Sequence, residues 1–131
     1  METERQDLYG KQLARMITCE TVSVQGIHGG ESFDHFRHVL REEFSGVFSV
    51  MEESLFEGSI LLRWRGREEP RLPILLMNHH DVVEATGNWK YPPFSGTIAE
   101  GKVWGRGTLD TKGGLFAMLR AAEELIAEGF T

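Results

Sequence analysis

Two stretches of this chain bring together residue types that can do chemistry. The first is Asn78-His79-His80-Asp81-Val82-Val83, directly after the apolar run Leu72-Pro73-Ile74-Leu75-Leu76-Met77. On an extended backbone successive side chains alternate between faces, so His79 and Asp81 share one face and His80 takes the other. A carboxylate two residues from an imidazole can accept its ring N–H and fix which nitrogen is left for a metal. The spacing alone is weak, because chance gives roughly 0.15 such pairs in a chain of this length and composition. A merely polar strand end explains the triplet too. The second stretch is Trp104-Gly105-Arg106-Gly107-Thr108-Leu109-Asp110-Thr111-Lys112-Gly113-Gly114. Glycines on both sides of Asp110 permit tight turns and close approaches before a helix begins. A rigidly held carboxylate has two oxygens and can bridge two cations. Asp110 could equally be the N-cap of the helix that follows. A phosphate cradle fits less well, since neither the Gly-x-x-x-x-Gly-Lys spacing nor the third glycine of a dinucleotide fingerprint is present.

These stretches must be positioned by the rest of the chain. Residues 3–18 read as a helix, with Leu8, Tyr9, Leu13, Met16 and Ile17 on a stripe of period 3.6. A glycine-rich loop follows, containing His28. Ser32 is a candidate N-cap for a second helix reaching Phe44, with Phe33, Phe36, Leu40 and Phe44 on its apolar face. Residues 47–51 and 59–64 read as strands, rich in β-branched and aromatic residues. Residues 66–70 form a polar turn. The run 72–77 reads as a strand buried on both faces, with Pro73 near its start, where a missing N–H costs least. Residues 84–96 are loop-like, 97–104 a hairpin turning at Glu100-Gly101, and 112–128 a helix stopped by Gly129. Its stripe is Leu115, Met118, Leu119, Ala122, Leu125 and Ile126. Helices interleaved with strands, one of them apolar on both faces, imply an α/β domain: helices packed on a mixed, mostly parallel sheet.

Composition narrows the function classes. With 131 residues, 40% hydrophobic and 26% charged, the chain is of globular type and forms one domain or part of one. Its net charge of −6 repels phosphate backbones and anionic lipid, so neither nucleic acid nor a membrane is an expected partner. The lone Cys19 cannot form an internal disulfide, and the first residues lack a basic-then-apolar leader; a reducing, cytoplasmic setting is the expectation. No apolar run is long enough to span a bilayer.

Taken together, His79-His80-Asp81-Val82-Val83, Trp89-Lys90-Tyr91-Pro92-Pro93-Phe94-Ser95-Gly96 and the segment from Gly101 to Gly113 stand in an order and spacing that resembles the co-catalytic zinc hydrolases: aminoacylases, glutamate carboxypeptidases and succinyl-diaminopimelate desuccinylases. The Trp-x-x-Pro-Pro-Phe-Ser-Gly stretch most resembles the carboxypeptidase S-like and N-acyl-amino-acid hydrolase branch. The resemblance implies a zinc-exopeptidase-like catalytic domain and a two-zinc amide hydrolase acting on peptides or N-acyl amino acids. It implies that His79 is a zinc ligand, that Asp81 is the acid steadying that histidine at the catalytic centre, and that Asp110 bridges the zincs. It also implies a cis Asp110–Thr111 peptide. Many relatives carry an acidic residue where Thr111 stands, so this position departs from the commonest form; it is not a ligand.

The family's Glu-Glu pair, its further acidic ligand and its late histidine find no counterpart in these 131 residues. Glu123-Glu124 sits within the last helix, opposite its apolar stripe, and reads as a solvated face. The expectation is therefore an N-terminal portion of a catalytic domain, spanning residues 1–131. By itself it should bind zinc weakly, hydrolyse nothing and self-associate through uncovered apolar surface. The rival reading is a non-catalytic binding or assembly module that keeps half of the fold. His35 and His38 read as a polar helix face, His80 as a packing residue beside the strand end, Cys19 as a packing residue, and Arg106 as a holder of loop carbonyls.

Overall fold

In the computed structural model, which describes residues 2–24, 29–67 and 71–130, the three expected amphipathic stripes become helices and a fourth, short helix joins them. They are α1 (Glu2–Ile17), α2 (Glu31–Glu43), α3 (Ser45–Val50) and α4 (Gly113–Ala127). Two hairpins are built from β1 (Glu52–Phe56) with β2 (Ser59–Arg63), and β3 (Thr97–Ala99) with β4 (Lys102–Trp104). Met16, Phe36, Val39, Leu40, Phe44, Val47 and Leu119 close the core where α1, α2, α3 and α4 meet. Cys19 is buried in that core, a packing position for its thiol. His28 and residues 68–70 of the expected polar turn lie outside the described residues.

The helix ends show why each element stops where it does. The N-cap of α2 is Gly30 rather than Ser32, and the Gly30 carbonyl accepts from the N–H groups of Phe33 and Asp34. Gly129 closes α4 with positive φ, its N–H bonding to Ile126 O and that of Phe130 to Leu125 O. That pair of bonds is a Schellman motif. At the β3–β4 turn both Glu100 and Gly101 have positive φ, as a tight two-residue hairpin turn requires.

Three expectations are corrected. Residues 47–51 are not a strand: Ser45–Val50 forms helix α3. Its reason lies far along the chain, where the Glu123 carboxylate accepts from Gly46 N–H at 2.9 Å and Val47 N–H at 2.7 Å. An anion on the free N–H groups of a first turn outweighs the modest β preference of valine and phenylalanine. By the same contacts Glu123 is not on a solvated face, and a Cβ at Gly46 would stand 2.8 Å from its Oε1. Glu124 pairs with Arg5 and with Arg120.

Secondly, the run 72–77 forms no ladder and is not buried. Leu72 is 93% exposed and Ile74 88%. Apolar composition suits a doubly covered strand, but a strand exists only where neighbours supply hydrogen-bond partners, and no described segment pairs with it in a ladder. Thirdly, a mostly parallel sheet is not found among the described residues. Both hairpins are antiparallel, and the parallel pairing among the described residues is a single bridge between Val22 and Val82. Without a ladder at 72–77 no crossover-linked pair of parallel strands can form. No helix among the described residues is long and apolar enough to cross a membrane.

Candidate metal centre

The Val22–Val82 bridge fixes one half of the site. Val82 N–H donates to Thr21 O at 2.8 Å, and Ser23 N–H to Val82 O at 3.0 Å. The Thr21 hydroxyl adds a bond to His80 O at 2.5 Å. With residues 80–82 so held, side chains alternate as on a strand. His80 turns inward, stacking on Phe36 at 5.2 Å and meeting Phe33 edge-on. Burial keeps its pKa below the ordinary histidine value, so it is a neutral packing group.

His79 and Asp81 face the other way, as the alternation requires. Ser23 Oγ donates to Asp81 Oδ2 at 2.6 Å, and Asp81 Oδ1 lies 3.1 Å from His79 Nδ1. The Asp81 carbonyl lies at the same distance from that nitrogen. The Ser23 hydrogen bond, helped by the nearby imidazole, holds the Asp81 carboxyl below the usual carboxylate range.

The other half is the irregular turn Thr108–Lys112 between β4 and α4, in which Asp110 and Thr111 have non-helical backbone angles. The Asp110–Thr111 peptide is cis. Gly107 has a φ of 86°, and a Cβ there would lie 2.7 Å from Val82 Cγ1; a side chain would push the turn away from the strand end. Lys112 anchors the turn from below. It is fully buried, and its Nζ donates to Met16 O at 3.1 Å and Cys19 O at 2.7 Å, carbonyls at the end of α1 that also accept from the N–H groups of Cys19 and Thr21. Burial lowers its pKa to about 8.

The halves meet at His79 Nε2 and Asp110 Oδ1, 3.2 Å apart. Because Nδ1 faces Asp81, it carries the proton of the neutral ring, a tautomer assigned from its partners. Nε2 then presents a lone pair to a carboxylate oxygen. Two acceptors at hydrogen-bond distance require a proton or a cation to reconcile them. Without a metal a proton serves: burial opposes charge on His79, but the Asp81 carbonyl and the Asp110 carboxylate outweigh it and raise its pKa. With a metal the geometry also fits. Ligand atoms about 2.0–2.1 Å from a tetrahedral zinc stand roughly 3.3 Å apart, close to the 3.2 Å found. The fit covers part of a coordination shell. Among the described residues no group of three or more His, Cys, Asp or Glu is arranged to hold a metal. Asp81 is turned to the far ring nitrogen as an orienting group.

The expected site residues thus split clearly. His79, Asp81 and Asp110 come together from positions up to 31 apart in the chain. His38 pairs with Glu42 at 3.0 Å on the surface of α2, away from them. Arg106 donates to the Glu84 carbonyl at 3.3 Å and lies over the Trp89 ring. A cleft of about 710 Å³ opens beside His79 and Asp110 and is walled by Val83, Trp89 and Trp104. Sequence reasoning missed Ser23 and the buried anchoring of Lys112. The alternation of β-branched and polar residues in Thr21-Val22-Ser23-Val24 was the available signal for the first.

Comparisons with known proteins bear on the family and the fold. Residues 75–131 match the family described as Peptidase family M20/M25/M40. The chain is 36% identical over 132 residues to a probable carboxypeptidase S-like 2 of Dictyostelium discoideum, covering 92% of this chain and 24% of that protein. It is 42% identical over 110 residues to carboxypeptidase S of Saccharomyces cerevisiae, covering 74% and 19%. To the N-fatty-acyl-amino acid synthase/hydrolase PM20D1 of Xenopus tropicalis it is 37% identical, covering 98% and 26%. The fold is similar to part of human carnosine dipeptidase 1, at a TM-score of 0.69 and 21% identity, over 98% of this chain and 30% of that one. The chain therefore spans about a quarter of the length of the curated relatives it matches.

Proposed function

Since this chain belongs to the M20/M25/M40 peptidase family, we propose that it is the N-terminal portion of the catalytic domain of a zinc-dependent amide hydrolase. Its substrates are small molecules bearing a carboxylate, either short peptides or N-acyl amino acids. The observation that carries this reading is the approach of His79 Nε2 to Asp110 Oδ1 at 3.2 Å, with Asp81 behind the imidazole. When bound, zinc supplies Lewis acidity that polarises an amide carbonyl and brings the pKa of water toward neutrality. His79 and Asp110 would hold it. Asp81, fixed by Ser23, keeps the proton on Nδ1 and so leaves Nε2 free to ligate. The adjoining cleft offers apolar walls beside the site. The general base and the remaining ligands come from residues other than these 131. Alone, the chain binds zinc weakly and has no hydrolase activity, and its exposed run at 72–77 promotes self-association.

The test is an amidase assay on N-acyl amino acids and dipeptides. The isolated chain is expected to be inactive with or without zinc. In a protein that carries this chain within a complete catalytic domain, zinc-dependent cleavage is expected, and His79→Ala or Asp110→Ala should abolish it. Activity that survives both substitutions would refute the assignment.

A further inference from the structure

The Thr111 hydroxyl makes contacts that an ionised carboxylate could not. Thr111 Oγ1 donates to the main-chain carbonyl of His79 at 2.8 Å and is within bonding reach of Asn78 Oδ1. The Asn78 amide lies in turn against the first turn of α4: a Cβ built on Gly114 would stand 2.8 Å from Asn78 Nδ2. The residue next to Asp110 is therefore tied to the backbone of His79 itself. Asp110 is 86% exposed at its side chain, so packing does little to hold it there. The Lys112 ammonium anchors the turn to α1, its hydrogen bonds going to Met16 O and Cys19 O. The two halves are also joined by the Arg106 bond to the Glu84 carbonyl and the packing of Gly107 on Val82, but the ties made at Asp110 and its neighbour are the His79–Asp110 contact and the bonds of Thr111.

We infer that Thr111 is a positioning residue: its hydroxyl, bonded to the His79 carbonyl, sets the separation at which the imidazole and the Asp110 carboxylate can share one cation. This rests on the metal-site reading above. A hydroxyl is both donor and acceptor, whereas an ionised carboxylate at this position only accepts. An acidic side chain would turn an acceptor toward the His79 carbonyl and add a negative charge beside Asp110 and Asp81. The threonine solution gives the same turn a neutral link.

The test uses the full 131-residue chain with Co²⁺ as the probe, read by NMR. Two readouts are followed: the NOE between the His79 ring and the Asp110 β protons without metal, and paramagnetic shifts at those residues as Co²⁺ is added. Thr111→Val keeps the shape and removes the donor, and Thr111→Ser restores it. The expected result is a weakened NOE and about tenfold weaker Co²⁺ binding in Thr111→Val, at the low end for groups that support metal ligands. Thr111→Ser should stay close to wild type in both, and all three should melt within a few degrees of one another. Wild-type affinity and an unchanged NOE in Thr111→Val would overturn the role of Thr111 and leave the metal site standing. Failure of Co²⁺ to shift His79 and Asp110 in the wild type would overturn both.

Discussion

Lys112 offers a sharp physical test of how the site is held. It is an ammonium group with no exposed surface, placed over the Phe36 ring and bonded to two helix-terminal carbonyls. Burial moves its pKa from 10.5 to about 8. Between those values the unfolded chain binds a proton that the folded chain has released, so stability rises with pH across the window. Below pH 8 both states are protonated, and the folded state carries the full cost of the buried charge. At 1.36 kcal/mol per pKa unit that cost is about 3 kcal/mol. Lys112→Met keeps the stem and removes both the charge and the N–H donors. At pH 10.5 the variant should be less stable than wild type by about 1–3 kcal/mol, because two carbonyls each lose one of their two donors. At pH 7 the gap should shrink by about 3 kcal/mol, since the variant has no buried charge to accommodate. Urea unfolding of both proteins between pH 7 and 10.5 measures the gap directly, and titrations common to both cancel. A gap independent of pH would refute the reasoning. It would mean that the two carbonyls and the aromatic ring solvate the ammonium as well as water does.

Three further outcomes follow from other contacts. Glu123→Gln should lower stability by about 1–2 kcal/mol, as the charged acceptor on the first turn of α3 becomes neutral, and Glu123→Ala should cost more; thermal melts of both check it. Ser23→Ala should raise the Asp81 pKa toward the ordinary carboxylate range, because the bond that lowers it most is removed, and ¹³C titration of the Asp81 carboxyl reads the shift. Light scattering behind size exclusion should find the chain self-associated, and Ile74→Lys in the exposed apolar run should shift it toward monomer; a wild-type monomer at high concentration would contradict this.

How far the sequence reached depended on the range of the forces involved. The stripes of α1, α2 and α4 and the turn at Glu100-Gly101 follow from local periodicity and backbone preference, and all appear where expected. Residues 47–51 did not obey local preference, because a carboxylate 76 residues away caps their first turn. Only the folded chain brings that partner into reach. The run 72–77 has the composition of a covered strand, but composition cannot supply the neighbour that would make it one. At the site, alternation correctly separated His79 and Asp81 from His80, which packs against Phe36. That Asp110 meets His79 was suggested by resemblance and not by spacing. Ser23 and Lys112 act through long-range bonds: alternation in residues 21–24 hints at an extended segment but does not name the partner that Ser23 meets, and nothing local marks the anchoring of Lys112.

The proposition that His79 and Asp110 share a cation is tested most directly by titrating the ¹⁵N-labelled chain with Zn²⁺ and following its histidine ring nitrogens. The expected result is a selective shift of His79 Nε2, with Nδ1 keeping its proton toward Asp81 and the response lost in Asp110→Ala. If zinc moved His35 or His38 first, or left His79 Nε2 unchanged in the wild type, the two residues would be neighbours in space and nothing more.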